Sequence, residues 1–180
     1  MSAREPILAA ETFEGRLSHL SRLSVATAER SDADIHRSVG EVLQLVRDHL
    51  QMDVVFVSRF ENGRRVFRHV EQDPAQPLLT VGHSDPLESS FCQRVVDGRM
   101  PQLVCDVARL PDAASLPPLP FRVGAHLSTP LVLRSGEIYG TFCCFSVAPN
   151  DALTERDLKR LRMASEMTAR LIDRSSADSA

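Results

Sequence analysis

The sequence predicts an α+β domain. Its centre is an antiparallel sheet of about six strands, with the terminal helices on one face and a ligand-pocket segment on the other. Three observations lead there. Two pairs of β-branched and aromatic runs are each joined by a tight polar turn, at Asn62-Gly63 and at Arg134-Ser135-Gly136, as in β-hairpins. Apolar residues recur at helical spacing near both ends of the chain. Between the hairpins lies a long stretch broken by Pro and Gly, which suits loops and short elements rather than central strands.

The elements follow in order. Residues 1–11 read as a flexible lead-in, 12–174 as a single domain and 175–180 as a disordered polar tail. Phe13, Leu17, Leu20 and Leu23 mark a first helix. Ser31 or Asp32 caps a second, whose stripe is Ile35, Val39, Val42, Leu43, Val46 and Leu50. Residues 54–60 and 64–70 form the first hairpin, and 73–87 a loop or short strand. A short helix covers 89–96 and ends near Asp97-Gly98, and a brief strand covers 102–107. Residues 110–120 hold four prolines and read as a loop or a turn of helix. Residues 125–133 and 137–147 form the second hairpin. The last helix spans 153–172; Thr154 and Asp157 resemble a capping box with Asp in place of Glu.

Composition narrows the function classes. The chain has 180 residues, 43% hydrophobic and 25% charged, which fits one globular domain with a proper core. A net charge of −3, with no Trp and one Tyr, argues against nucleic-acid binding by charge or by base stacking. No run approaches the ~18 apolar residues that a membrane span needs. The N-terminus lacks the basic start and long apolar core of a signal peptide, so a cytoplasmic location with reduced cysteines is expected.

Four stretches together resemble a GAF domain: MDVVFVSRF with its Asn-Gly turn, SDPLESSFCQRVVDGRMPQLVCDV, VGAHLSTPLVLRSGEIYGTFCCFS and LTERDLKRLRMASEMTARLID. The likeness covers roughly residues 31–173, and the chain resembles the GAF sensors of bacterial cyclic-diguanylate signalling proteins and phytochromes. It implies a non-catalytic sensor that binds a small molecule. The signal would pass through a helical homodimer interface to an output domain or partner protein. It also implies a pocket on the sheet face opposite the helices. Residue by residue, the pocket set is Phe56, Ser58, Ser84, Asp85, Phe91, Cys92, His126, Ser128, Thr141, Cys143 and Phe145.

Three chemistries compete with a plain binding pocket. One GAF branch reduces free methionine sulfoxide with a cysteine nucleophile. Such a thiol needs a cation or a helix start nearby, and Cys92 and Cys105 qualify by position. The acidic residues that this branch carries at the end of its last strand are missing, as is its Trp-containing first strand. Haem is a possible cofactor, with His126 as ligand and His83 second. Bilin is disfavoured, because no Cys-His pair is present. No cysteine or histidine pair has metal-ligand spacing, so no metal site is expected, and only tertiary folding could gather Cys92, Cys105, His126 and Cys143. Adjacent Cys143 and Cys144 point to opposite faces of a strand and do not pair. Cys143 is expected to line the pocket and Cys144 to be core, while Gly140 is expected to let a terminal helix approach.

Overall fold

Asn62 and Gly63 both take left-handed backbone conformations, with φ of 51° and 70°. That is the geometry of a two-residue hairpin turn. It pairs β1 (Val54–Glu61) with β2 (Arg64–Gln72), setting Glu61 opposite Arg64 and Phe60 opposite Arg65. Beyond Phe67 the register slips by one residue, so that Val57 faces His69 and Phe56 faces Val70. The computed structural model describes residues 12–25 and 31–178. The lead-in expected over 1–11 lies outside the described residues.

The second hairpin joins β5 (Ala125–Val132) to β6 (Ile138–Ser146). Gly136 sits at φ 86°, and the turn closes between Leu133 and Glu137. Short edge strands β3 (Ser84–Pro86) and β4 (Leu103–Val104) complete a fully antiparallel sheet in the order β3-β2-β1-β6-β5-β4. The strand expected over 102–107 is cut to two residues because the backbone finds other partners. The Cys105 carbonyl accepts from Asn150 N–H, and Val107 N–H donates to the Gly124 carbonyl.

One face of the sheet is covered by α1 (Phe13–Val25), α2 (Asp32–Leu50) and α4 (Glu155–Asp178). Ser31 and Asp34 form a capping box on α2, and the Asp157 carboxylate accepts from both the N–H and the hydroxyl of Thr154 at the start of α4. Val39, Val42 and Val46 of α2 and Leu161 and Ala164 of α4 pack on Val55, Val57, Leu127, Leu131, Phe142 and Cys144 of the sheet. In α1, Phe13 and Leu17 are buried and Leu20 half-buried, whereas Leu23 is 52% exposed and stands outside the expected stripe. The tail expected from 175 onward is corrected as far as 178. No Pro or Gly interrupts those residues, α4 continues, and the Ser175 hydroxyl donates to Asp32 at the start of α2.

Gly140 also plays a different part from the one expected. A Cβ built there would lie 1.9 Å from the carbonyl oxygen of Ser58 on β1. Its lack of a side chain lets two central strands meet, not a helix and the sheet. The short helix α3 (Phe91–Val96), capped by Ser90, lies on the opposite face with the Pro-rich segment.

Candidate functional site

Side-chain parity sorts the second face. Phe56 and Ser58 of β1, Arg65 and Phe67 of β2, His126 and Ser128 of β5, and Thr141, Cys143 and Phe145 of β6 all lie on the side away from α2 and α4. The cover over them comes from three places. Leu79 arrives on the 73–83 loop, Phe91 and Cys92 on α3, and Leu119, Phe121 and Val123 on the chain leading into β5. Gln72 fastens the loop: its amide nitrogen donates to the Leu79 carbonyl, and its amide oxygen accepts from Leu78 and Leu79 N–H.

Between sheet and cover is a cavity of about 30 Å³, walled by the rings of Phe56, Phe67, Phe91, Phe121 and Phe145 with Leu79, Leu119 and Val123. That volume holds one or two waters. Phe121 stacks on Phe145, and Phe56 and Phe67 meet edge to face. Among the described residues, only Arg65 and His126 bring polar side chains to the wall. Arg65 is just 7% exposed, lies 4.7 Å over the Phe67 ring, and is held by Asp85 through Nε at 3.0 Å and through a second bond from Nη2 to Oδ2. Such a two-pronged grip fits a buried guanidinium. His126 packs edge-on to Phe91, and its Nδ1 is buried without a hydrogen-bond partner.

Behind the cavity lies a cluster of thiols and hydroxyls. Cys92 Sγ is 3.3 Å from Arg65 Nη1 and 3.6 Å from Cys143 Sγ. Cys143 in turn contacts Ser128 Oγ at 2.8 Å and Thr141 Oγ1 at 3.2 Å, and Ser58 and Thr141 share a hydrogen bond of 2.8 Å. Burial alone would raise the Cys92 pKa. The hydrogen bond from Cys143 and the charge of Arg65 outweigh that and hold it well below the ordinary thiol value. Burial, followed by the bond to Cys92, raises Cys143, so Cys92 is the more acidic thiol of the pair. Cys144 faces the helices, where burial pushes its pKa up.

The expected residues therefore fall into three groups. Phe56, Phe91, His126 and Phe145 wall the cavity. Ser58, Cys92, Ser128, Thr141 and Cys143 form the cluster behind it, and Asp85 serves through Arg65. Ser84 is the correction: it accepts from Arg64 Nε at 2.8 Å on the exposed edge, one residue out of phase with Asp85. Arg65, Phe67, Leu79, Leu119, Phe121 and Val123 were not among the expected pocket residues. The Asn62-Gly63 turn held the signal for two of them, because it sets Arg65 opposite Phe60 and so on the parity of Ser58 and Phe56.

Cys105 lies elsewhere, donating to the Leu153 carbonyl and packing toward the helix-side core. Among the described residues no three His, Cys, Asp or Glu side chains converge as metal ligands. Haem would not fit the closed cavity of about 30 Å³ beside His126 without moving the whole cover, and His83 is exposed.

His126 also carries a testable pH dependence. Burial, and then the charge of Arg65, push its pKa down to about 4. His69 is likewise pushed to about 4, by burial, His36 and Arg68; its Nδ1 meets that of His36 at 3.1 Å. A depressed histidine costs the fold nothing above the unfolded value of about 6.5. Between there and about 4 the unfolded chain binds protons that the fold refuses, and stability falls by up to ~1.4 kcal/mol per pH unit for each group. Urea midpoints should therefore drop steeply from neutral pH to about 4. His126→Gln should remove a clear share of that slope, the rest coming from His69 and, nearer neutral pH, from Cys92, and an unchanged slope would show that His126 titrates normally.

A family model for the GAF domain matches residues 32–173, most of the chain. No curated protein matches the sequence. Among solved structures, a GAF domain from Acinetobacter phosphoenolpyruvate-protein phosphotransferase is similar at TM-score 0.68 and 18% identity, covering 89% of this chain and 92% of that one. A phycocyanobilin-bound GAF domain from a cyanobacterial phytochrome matches at TM-score 0.70 and 15% identity over 94% and 98%. The free methionine-R-sulfoxide reductase from Neisseria meningitidis, in complex with its substrate, matches at 0.70 and 12% over the full length of both. At these identities the likenesses speak for the fold alone. With the six-stranded antiparallel sheet, the helical layer and a family match over residues 32–173, the chain belongs to the GAF domain family.

Proposed function

We propose that this GAF domain is a non-catalytic sensor whose ligand enters between the sheet and the 73–123 cover. The observation that carries the reading is the ring-walled cavity, where among the described residues the polar side chains are Arg65 and His126, whose Nδ1 has no hydrogen-bond partner. Arg65 is already neutralised by Asp85. The ligand class this favours is a small planar molecule with one or two hydrogen-bonding groups and no strong charge. Entry would displace Phe121 and Leu119 outward, as the cavity holds no more than water. Binding would be read out by α1, α2 and α4 on the far face, acting as a homodimer interface toward an output domain or partner protein. Cytoplasmic second-messenger signalling is the setting this role suits.

The test is native mass spectrometry of the freshly purified protein, followed by thermal shift with the compound found or with a panel of small planar heterocycles. At about 100 times its Kd, a ligand adds ~2.7 kcal/mol, a Tm rise of roughly 5–10 °C. Val123→Trp, which fills the cavity from the cover, should abolish the shift. A rise that survives in Val123→Trp places the ligand elsewhere.

One observation favours a second reading, thiol-dependent reduction of free methionine sulfoxide: Cys92 lies against a guanidinium that borders the cavity. Turnover with a dithiol that disappears in Cys92→Ser would replace the sensor reading.

A further inference from the structure

Cys92 on α3 and Cys143 on β6 are both reduced and fully buried, and their sulfurs lie 3.6 Å apart, within hydrogen-bond reach. We propose that they form a peroxide-reactive dithiol: hydrogen peroxide oxidises Cys92, and Cys143 resolves the product into a Cys92–Cys143 disulfide beneath the cavity. This goes beyond the ligand-binding role and does not rest on it.

The geometry divides the labour between the two thiols. Cys92 faces a guanidinium at 3.3 Å, a neighbour that favours the thiolate, and the thiolate is the nucleophile. Cys143 has no such cation in contact; Ser128 and Thr141 hold it in place as the thiol. Arg65 also borders the cavity, so one side chain touches both the nucleophile and the space from which an oxidant arrives. With the cover closed, a space of about 30 Å³ admits a molecule little larger than water, whereas a bulky organic hydroperoxide would have to displace Phe121 and Leu119 first.

The chemistry balances. The Cys92 thiolate attacks one peroxide oxygen; an S–O bond forms, the O–O bond breaks, and the hydroxide released takes a proton to become water. Cys143 then attacks the sulfenic sulfur. An S–S bond forms, the S–O bond breaks, and the leaving hydroxide departs as water with the proton of Cys143. The thiols lose two electrons and the peroxide gains them; an added dithiol reverses the bond by exchange. Closing the bond draws α3 toward β6 and takes from Arg65 the anion it faces.

The test treats the whole protein with equimolar hydrogen peroxide, then denatures, alkylates and maps the cysteines. Two of the four should be protected as one intramolecular Cys92–Cys143 crosslink, reversible by dithiothreitol. Cys143→Ser should instead accumulate a dimedone-reactive sulfenic acid on Cys92. Arg65→Met should slow oxidation of Cys92 by about tenfold or more while leaving Cys105 unchanged. Cumene hydroperoxide should react far more slowly than hydrogen peroxide. The wild-type map decides the matter even if a variant misfolds. Oxidation of Cys105 ahead of a reduced Cys92 and Cys143, or crosslinks only between molecules, overturns the proposal. A protein that binds its ligand yet keeps both thiols reduced fails this inference alone.

Discussion

Gly140→Ala is expected to destabilise the domain by about 3–5 kcal/mol, at or above the upper end of overpacking costs. Gly140 sits in β6 between two neighbours, opposite Arg59 on β1 and Leu131 on β5. The new Cβ would meet the Ser58 carbonyl oxygen at 1.9 Å, the carbonyl carbon at 2.7 Å and Arg59 Cα at 3.0 Å. All three are backbone atoms of a central strand, so no rotamer change relieves the clash. β1 and β6 must part, and with them the Ser58–Thr141 bond two positions from the thiol pair. Against a typical domain stability of roughly 5–15 kcal/mol, this is a large share. Gly40→Ala is the control. Gly40 lies inside α2 with nothing within 4 Å of a built Cβ, so alanine should stabilise by about 0.5–1 kcal/mol through helix propensity. Urea unfolding of both variants checks the pair. A Gly140→Ala midpoint within about 1 kcal/mol of wild type would mean that the strands separate at little cost.

The contrast between these two glycines shows what was legible in the sequence. Helix stripes, capping residues and the Asn62-Gly63 turn are local signals, and α2, β1, β2, β5, β6 and α4 all stand close to where they point. Strand parity also carried over: Cys143 and Cys144, adjacent in sequence, end up in different clusters on opposite faces. Illegible were the contacts that only tertiary folding makes. Arg65 in RRVFRHV looks like a solvent-facing strand charge, because nothing nearby announces Asp85 twenty positions on. The meeting of Cys92 and Cys143 depends on where α3 docks, and Ser84 was misplaced because a three-residue strand offers too little alternation to fix its phase. Leu79, Leu119, Phe121 and Val123 follow no period at all, so the cover and the size of the cavity beneath it had no pattern to reveal them.

Arg65→Met is the second large effect, a loss of about 2–4 kcal/mol together with a changed response to pH. Removing one partner of a fully buried ion pair costs ~3–5 kcal/mol. Here the Asp85 side chain is 31% exposed and can recover water, which lowers the figure. Methionine keeps the length of the apolar stem over Phe67, so the loss reflects charge and hydrogen bonds more than volume. Arg65→Met/Asp85→Asn, which leaves no orphaned carboxylate, should recover about 1–2 kcal/mol of it. The pH response follows from Cys92. Its pKa in the fold is depressed, so between that value and the unfolded thiol value of about 8.5 the unfolded chain holds a proton that the folded one has released. Stability therefore gains with rising pH across that window, and the gain is lost as pH falls through the folded pKa. Without the guanidinium only the hydrogen bonds of Cys143 and Thr141 oppose burial, so the thiolate is less favoured and the gain shrinks. Thiolate ultraviolet absorbance should then show Cys92 titrating higher in Arg65→Met than in the wild type, where it lies below the ordinary thiol range. If both proteins titrate alike, Cys92 does not depend on this cation, and the coupling between the cavity wall and the thiol pair is absent.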